Sequence, residues 1–93
     1  MGQANKHQGE HEIINPLGLH ARAASKLVAV ANRWDAEVWV GREGQEVNAK
    51  SILGVLMLAC PKGSVISIRT EGRQSAQAYQ ELSELVADGF GEL

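Results

Sequence analysis

The sequence predicts an α+β domain of two layers, a sheet of four strands with three helices on one face. Three observations predict it. Apolar residues recur with a period that switches between two and 3.6, in the order strand, helix, strand, strand, helix, strand, helix. Proline and glycine punctuate the chain between those segments, at Pro16–Leu19, Arg42–Gly44 and Cys60–Gly63. The 93 residues suffice for one modest core and are too few for two.

Residues 1–10 are polar, carry Gly2 and Gly9 and lack apolar periodicity, which reads as a frayed extension ahead of a domain at 11–93. Lys6 stands where an acylation signal needs Ser or Thr, and no apolar signal-peptide core is present, so export is not expected. His7 and His11 are four apart, but Gly9 between them argues against a helix and no third ligand is evident, so no metal site is predicted.

A first strand is predicted at Glu12–Asn15, with Ile13 facing the core, ending at Pro16, which has no N–H to give to a ladder. The loop Pro16–Leu19 leads into a helix over Ala21–Arg33 whose stripe is Ala24, Leu27, Val28 and Ala31. Ser25, Lys26 and Ala29 lie off that stripe on a solvated face. Ala36–Gly41 alternates, with Trp39 on the open side of the sheet shielding neighbouring strands, and Gln45–Ala49 returns as its hairpin partner.

Ser51 is placed to cap a second helix, Ile52–Ala59, which is apolar nearly all round. Its hydrophobic residues cannot all face one core, and an exposed apolar patch on a small domain marks a docking surface. Pro61 and Gly63 break that helix, and Cys60 reads as an inert, partly buried thiol. Ser64–Thr70 is the fourth strand, with Ile66 and Ile68 inward. Ser75 caps a last helix, Ala76–Asp88, with Ala78, Leu82, Leu85 and Val86 buried, Gly89 as a left-handed stop and Phe90 packing back.

Bulk properties narrow the function. A formal net charge of -2 offers no basic footprint for nucleic acid, and no apolar run approaches a membrane span. A single cysteine makes no internal disulfide and suits a reducing cytoplasm. No Walker loop, carboxylate pair or metal cluster is present that would let the chain hydrolyse anything alone, and no cofactor is implied.

The chemistry concentrates at Gly18-Leu19-His20-Ala21-Arg22-Ala23-Ala24. With a helix starting at Ala21, His20 is its N-cap. The backbone N–H groups of the first turn, those of Ala21 and Ala23 included, have no intrahelical acceptor, and with the helix dipole they favour an anion beyond the helix end. That field disfavours imidazolium and is expected to leave a ring nitrogen free as nucleophile. Arg22 can offer a bidentate guanidinium to phosphate oxygens. Taken alone, the motif fits a phosphate site and a plain helix cap about equally.

Pro16-Leu17-Gly18-Leu19-His20-Ala21-Arg22-Ala23-Ala24 resembles the active-site signature of the HPr family, the histidine-phosphorylatable phosphocarriers of the bacterial phosphotransferase system. Lys50-Ser51-Ile52-Leu53-Gly54-Val55-Leu56 resembles that family's regulatory-serine segment at the family's distance from the histidine, within a resemblance running from about Glu12 to Phe90. The resemblance implies an HPr-like open-faced sandwich, βαββαβα, with an antiparallel sheet in the order 1-4-2-3. It implies that His20, with Arg22, takes a phosphoryl group on Nδ1 from phosphoenolpyruvate-dependent Enzyme I and passes it to a IIA-type acceptor, the chain being a monomeric carrier rather than an enzyme. It implies Ile52, Leu53 and Leu56 as partner contacts. It also implies Ser51 as a site for the HPr kinase/phosphorylase that modifies this serine in some members.

Much of the family has proline where this chain has Ala23, so here a backbone N–H is restored close to the phosphoryl site while rigidity is given up. Ala23 and the closing Gly89-Phe90-Gly91-Glu92 lean towards the nitrogen-related branch, NPr, while Lys50-Ser51-Ile52 and Gly54 lean towards sugar-pathway or kinase-regulated members. A rival reading is an HPr-like regulatory module that docks without relaying phosphate, but such homologues lose the active-site histidine, and both His20 and Arg22 remain.

Overall fold

The structure is a computed structural model describing residues 5–93. Its elements run β1 (Lys6–Glu12), α1 (Ala21–Arg33), β2 (Glu37–Arg42), β3 (Gln45–Asn48), α2 (Ile52–Met57), β4 (Val65–Glu71) and α3 (Ser75–Ala87), followed by a 3₁₀ turn at Gly89–Gly91. The strands form one sheet in the order β1-β4-β2-β3, every neighbouring pair antiparallel. The two-layer α+β sandwich and its 1-4-2-3 order are therefore as expected.

The core lies between that sheet and the helices. Val38, Val40, Ile66 and Ile68 alternate inward from the two central strands and meet Leu27 and Ala31 of α1, Val55 of α2 and Ala78, Leu82 and Val86 of α3. Burying these side chains supplies the main driving force, at about 1.5–3 kcal/mol for each large aliphatic. On the α1 stripe Val30 is buried where Val28 is only partly so, and Ala23 joins Ala24 in full burial.

β1 lies well before the predicted position. Lys6–Glu12 pairs with β4 from Lys6↔Glu71 to Glu12↔Val65, so residues 6–10, expected to be frayed, form an edge strand, while Met1–Ala4 fall outside the described residues. The reason is what the inward face of β1 meets. His7, Gly9 and His11 point towards α3, where the Tyr79 ring lies between the two imidazoles and its hydroxyl is 2.9 Å from His11 Nε2. Gly9 makes room for that hydroxyl: a Cβ there would lie 2.1 Å from it. An inward face of His-Gly-His carries no apolar alternation to read.

Boundaries also moved in α2 and α3. α2 stops at Met57 rather than Ala59, because Ala59 takes a left-handed φ of 51° and Cys60 precedes proline. α3 begins at Ser75, with Gln74 at the N-cap. Ser75 is buried and its carbonyl accepts from Thr70 Oγ1, while Gln74 Oε1 accepts from the Asp35 N–H. Trp39 sits on the open face as expected, with the Arg69 guanidinium 3.8 Å above its ring, itself held by Glu46 and Glu71.

Candidate functional site

Gly18, at φ 68°, turns the chain into His20, and its Cα packs so closely on Cys60 and Pro61 that a side chain there would strike backbone. The Leu19 N–H donates to the Cys60 carbonyl at 2.8 Å, which fixes the loop against the turn after α2. Cys60 itself is buried, and burial pushes its thiol pKa up, as befits a structural thiol.

His20 is the N-cap of α1, with extended backbone at φ -76° and ψ -177°. Its Nδ1 accepts from the Arg22 N–H at 3.3 Å, a long bond, and the His20 carbonyl accepts from the Ala24 N–H. The other ring nitrogen, Nε2, lies 2.7 Å from Glu92 Oε2. A carboxylate accepts only, so Nε2 carries the proton and the lone pair is on Nδ1, aimed at the helix N-terminus. The hydrogen-bond pattern thus assigns one tautomer.

Glu92 is in turn fixed by Asn15, whose Nδ2 donates to Glu92 Oε1 at 2.9 Å and to the Gly18 carbonyl at 2.7 Å. Asn15 is fully buried. The hydrogen bond from Asn15, that with His20, and the nearby positive charge of Lys26 hold the Glu92 carboxyl below the ordinary carboxylate range. Arg22 lines the same open cleft as His20, Lys26 and Glu92, and among the described residues its guanidinium has no hydrogen-bond or ion-pair partner. Ala21 is exposed at the first helical position, and Ala23 turns its methyl into the core while its N–H belongs to the first turn.

Ser51 caps α2, its Oγ accepting from the Gly54 N–H at 3.3 Å. α2 packs against α1. Of its apolar residues Leu53 is 70% exposed and Met57 76%, Ile52 is 37% exposed, and Leu56 packs partly against the core. Leu17, beside His20 in the cleft, is 72% exposed.

Sequence reading missed Asn15, Glu92, Leu17 and Met57. Asn15 carried one usable signal, an amide directly before the proline that ends the first extended segment. Glu92 carried none, since it reaches His20 across a separation of 72 residues. Among the described residues no group of three or more His, Cys, Asp or Glu is arranged to hold a metal ion, and no helix is long and apolar enough to cross a membrane.

A family model described as the PTS HPr component phosphorylation site matches residues 7–88. The phosphocarrier protein HPr of Neisseria meningitidis serogroup A is 48% identical over 81 residues, 87% of this chain and 91% of that one. The crystal structure of HPr-C-His from Thermoanaerobacter tengcongensis superposes with a TM-score of 0.90 at 36% identity, covering 94% of this chain and 98% of that one. A crystal structure described as an HPr dimer from the same organism superposes with a TM-score of 0.75 at 38% identity, covering 87% and 93%.

Proposed function

Since the chain belongs to the HPr family of phosphotransferase-system phosphocarriers, we propose that His20 accepts a phosphoryl group on Nδ1 from phosphoenolpyruvate-charged Enzyme I and passes it to a IIA-type acceptor. The observation that carries this reading is the split of the imidazole between two partners, Nδ1 facing the α1 N-terminus and Nε2 held by Glu92.

The step follows from that geometry. The Nδ1 lone pair attacks phosphorus in line, the N–P bond forms as the bond from phosphorus to the donor's leaving atom breaks, and no proton leaves the ring. The imidazole gains positive charge, which the Glu92 carboxylate offsets 2.7 Å from Nε2. The phosphoryl oxygens come to the first-turn N–H groups of Ala21, Arg22 and Ala23, and the Arg22 guanidinium adds a bidentate donor. Such transfer relies on alignment and charge stabilisation more than on acid–base chemistry. Onward transfer reverses these steps, so the chain is a carrier that acts only with partner enzymes.

Ile52, Leu53 and Leu56 form the docking surface with the more exposed Leu17 and Met57, because large apolar side chains left in water are what a partner covers. Ser51 is a regulatory site for an HPr kinase/phosphorylase. Its hydroxyl is exposed at the N-cap of α2, where a phosphate suits the helix and places negative charge against that surface. The carrier acts in the cytoplasm as a monomer, and sedimentation velocity tests the monomer. Comparing uptake rates from the sugar and nitrogen forms of Enzyme I assigns the branch.

Incubation with phosphoenolpyruvate and Enzyme I, followed by intact mass, tests the relay. One acid-labile phosphoryl group is expected on the native chain and none on His20→Ala. An unchanged mass for the native chain overturns the reading in favour of a docking module.

A further inference from the structure

Lys26 lies outside the His20–Arg22 motif and reads, from sequence, as solvated surface. Its ammonium nevertheless has a specific partner, the Phe90 carbonyl at 2.6 Å. Phe90 is the middle of three consecutive residues at positive φ, Gly89 at 61°, Phe90 at 57° and Gly91 at 74°. The chain doubles back there and delivers Glu92 to His20. A phenylalanine adopts that backbone only where its surroundings hold it. Two contacts hold it: the ring is fully buried, and Lys26 pins the carbonyl. Within the turn the Gly91 N–H donates to the Asp88 carbonyl and the Glu92 N–H to the Gly89 carbonyl, and past it Asn15 and His20 hold the Glu92 carboxylate.

We propose that Lys26 is a positioning residue for phosphoryl transfer at His20: by pinning the Phe90 carbonyl it keeps the C-terminal turn folded, so that Glu92 holds Nε2 and leaves Nδ1 as the nucleophile. The inference rests on His20 as phosphoryl acceptor. The charged and polar groups around the Glu92 carboxylate are His20, Asn15, Lys26 and, in the same cleft, Arg22. Losing Lys26 loosens the turn and removes a positive charge that favours ionised Glu92. Arginine at position 26 can donate to the same carbonyl and keeps that charge.

The test uses the full chain as Lys26→Met, Lys26→Arg, Glu92→Gln and the double variant Lys26→Met/Glu92→Gln. The Glu92 carboxyl titration is followed by ¹³C NMR, and phosphoryl uptake from Enzyme I by rate. Lys26→Met is expected to move the Glu92 titration up towards that of a free glutamate and to slow uptake about threefold to tenfold, short of the about hundredfold that misplacing the reacting groups can cost. Lys26→Arg restores most of both. Glu92→Gln slows uptake by a similar factor, and Lys26→Met then adds no further loss. Multiplying losses in the double variant would overturn the proposal, because Lys26 would then act on the phosphoryl group or the donor directly, and so would an unmoved titration. If the native chain takes up no phosphate, the acceptor reading fails separately, and the titration, measured on unmodified protein, still decides whether Lys26 holds the turn.

Discussion

Replacing Gly9 by alanine puts a methyl group where the Tyr79 hydroxyl already sits, 2.1 Å from the oxygen and 3.3 Å from Cζ. The tyrosine must move, and its 2.9 Å hydrogen bond with His11 is lost. Overpacking costs about 1–3 kcal/mol, the lost bond about 0.5–1.5 kcal/mol, and about 0.5–1 kcal/mol returns because alanine surrenders less backbone entropy than glycine in a strand. The net is about 2 kcal/mol, a fall of roughly 8–16 °C in Tm for a chain of this size. Tyr79→Phe alone loses only the hydrogen bond, about 0.5–1.5 kcal/mol. With the hydroxyl gone, the 3.3 Å approach to Cζ is relieved by a small shift, so Gly9→Ala in that background costs less than about 0.5 kcal/mol. Urea unfolding of the four proteins closes the double-mutant cycle, with an expected coupling of about 1.5–2 kcal/mol. Equal cost of Gly9→Ala in both backgrounds would refute the packing of β1 beneath α3.

Desolvation holds His11 below its ordinary value of 6.5, so the unfolded chain binds its proton first, and stability present above about pH 6.5 falls as the pH drops through the folded value. The urea midpoint is expected to fall between pH 7.5 and 5.5, and less so in His11→Gln; an equal slope in both proteins would remove His11 as the cause. Glu46, held down chiefly by its hydrogen bond with Arg69, and Glu92 add a second acid limb below about their ordinary 4.5, which Glu46→Gln should reduce in the same measurement. Ser51→Ala removes the cap on a six-residue helix and should cost about 1 kcal/mol in a thermal melt, with Ser51→Asp retaining most of it. Leu53→Glu, at a side chain 70% exposed, should leave stability within about 0.5 kcal/mol while raising the KM for transfer from Enzyme I; unchanged kinetics would remove Leu53 from the docking surface.

The helices and inner strands were legible because their burial is aliphatic and periodic: Leu27 and Ala31 on α1, Ile66 and Ile68 on β4, Leu82 and Val86 on α3 all face the core. The His20–Arg22 end of the candidate site was legible for a different reason. A histidine that caps a helix and an arginine in its first turn are sequence neighbours, and local geometry follows from local sequence. What escaped depended on distant partners. β1 could not be read because a His-Gly-His face is meaningful only against Tyr79, 68 residues beyond His11. Glu92 and Lys26 escaped likewise: each acts through a turn that brings the end of the chain back to α1. Gly89 and the buried Phe90 were readable as a stop and a return, but nothing local fixed where Glu92 would land.

The central claim is that the ring is divided, with Nδ1 left to react and Nε2 held by a carboxylate. Phosphorylating the ¹⁵N-labelled chain with Enzyme I and recording long-range ¹H–¹⁵N spectra of the His20 imidazole reads that division directly. The phosphorus should be bonded to Nδ1, with Nε2 still protonated. Phosphorus on Nε2, or on a residue other than His20, would contradict the account.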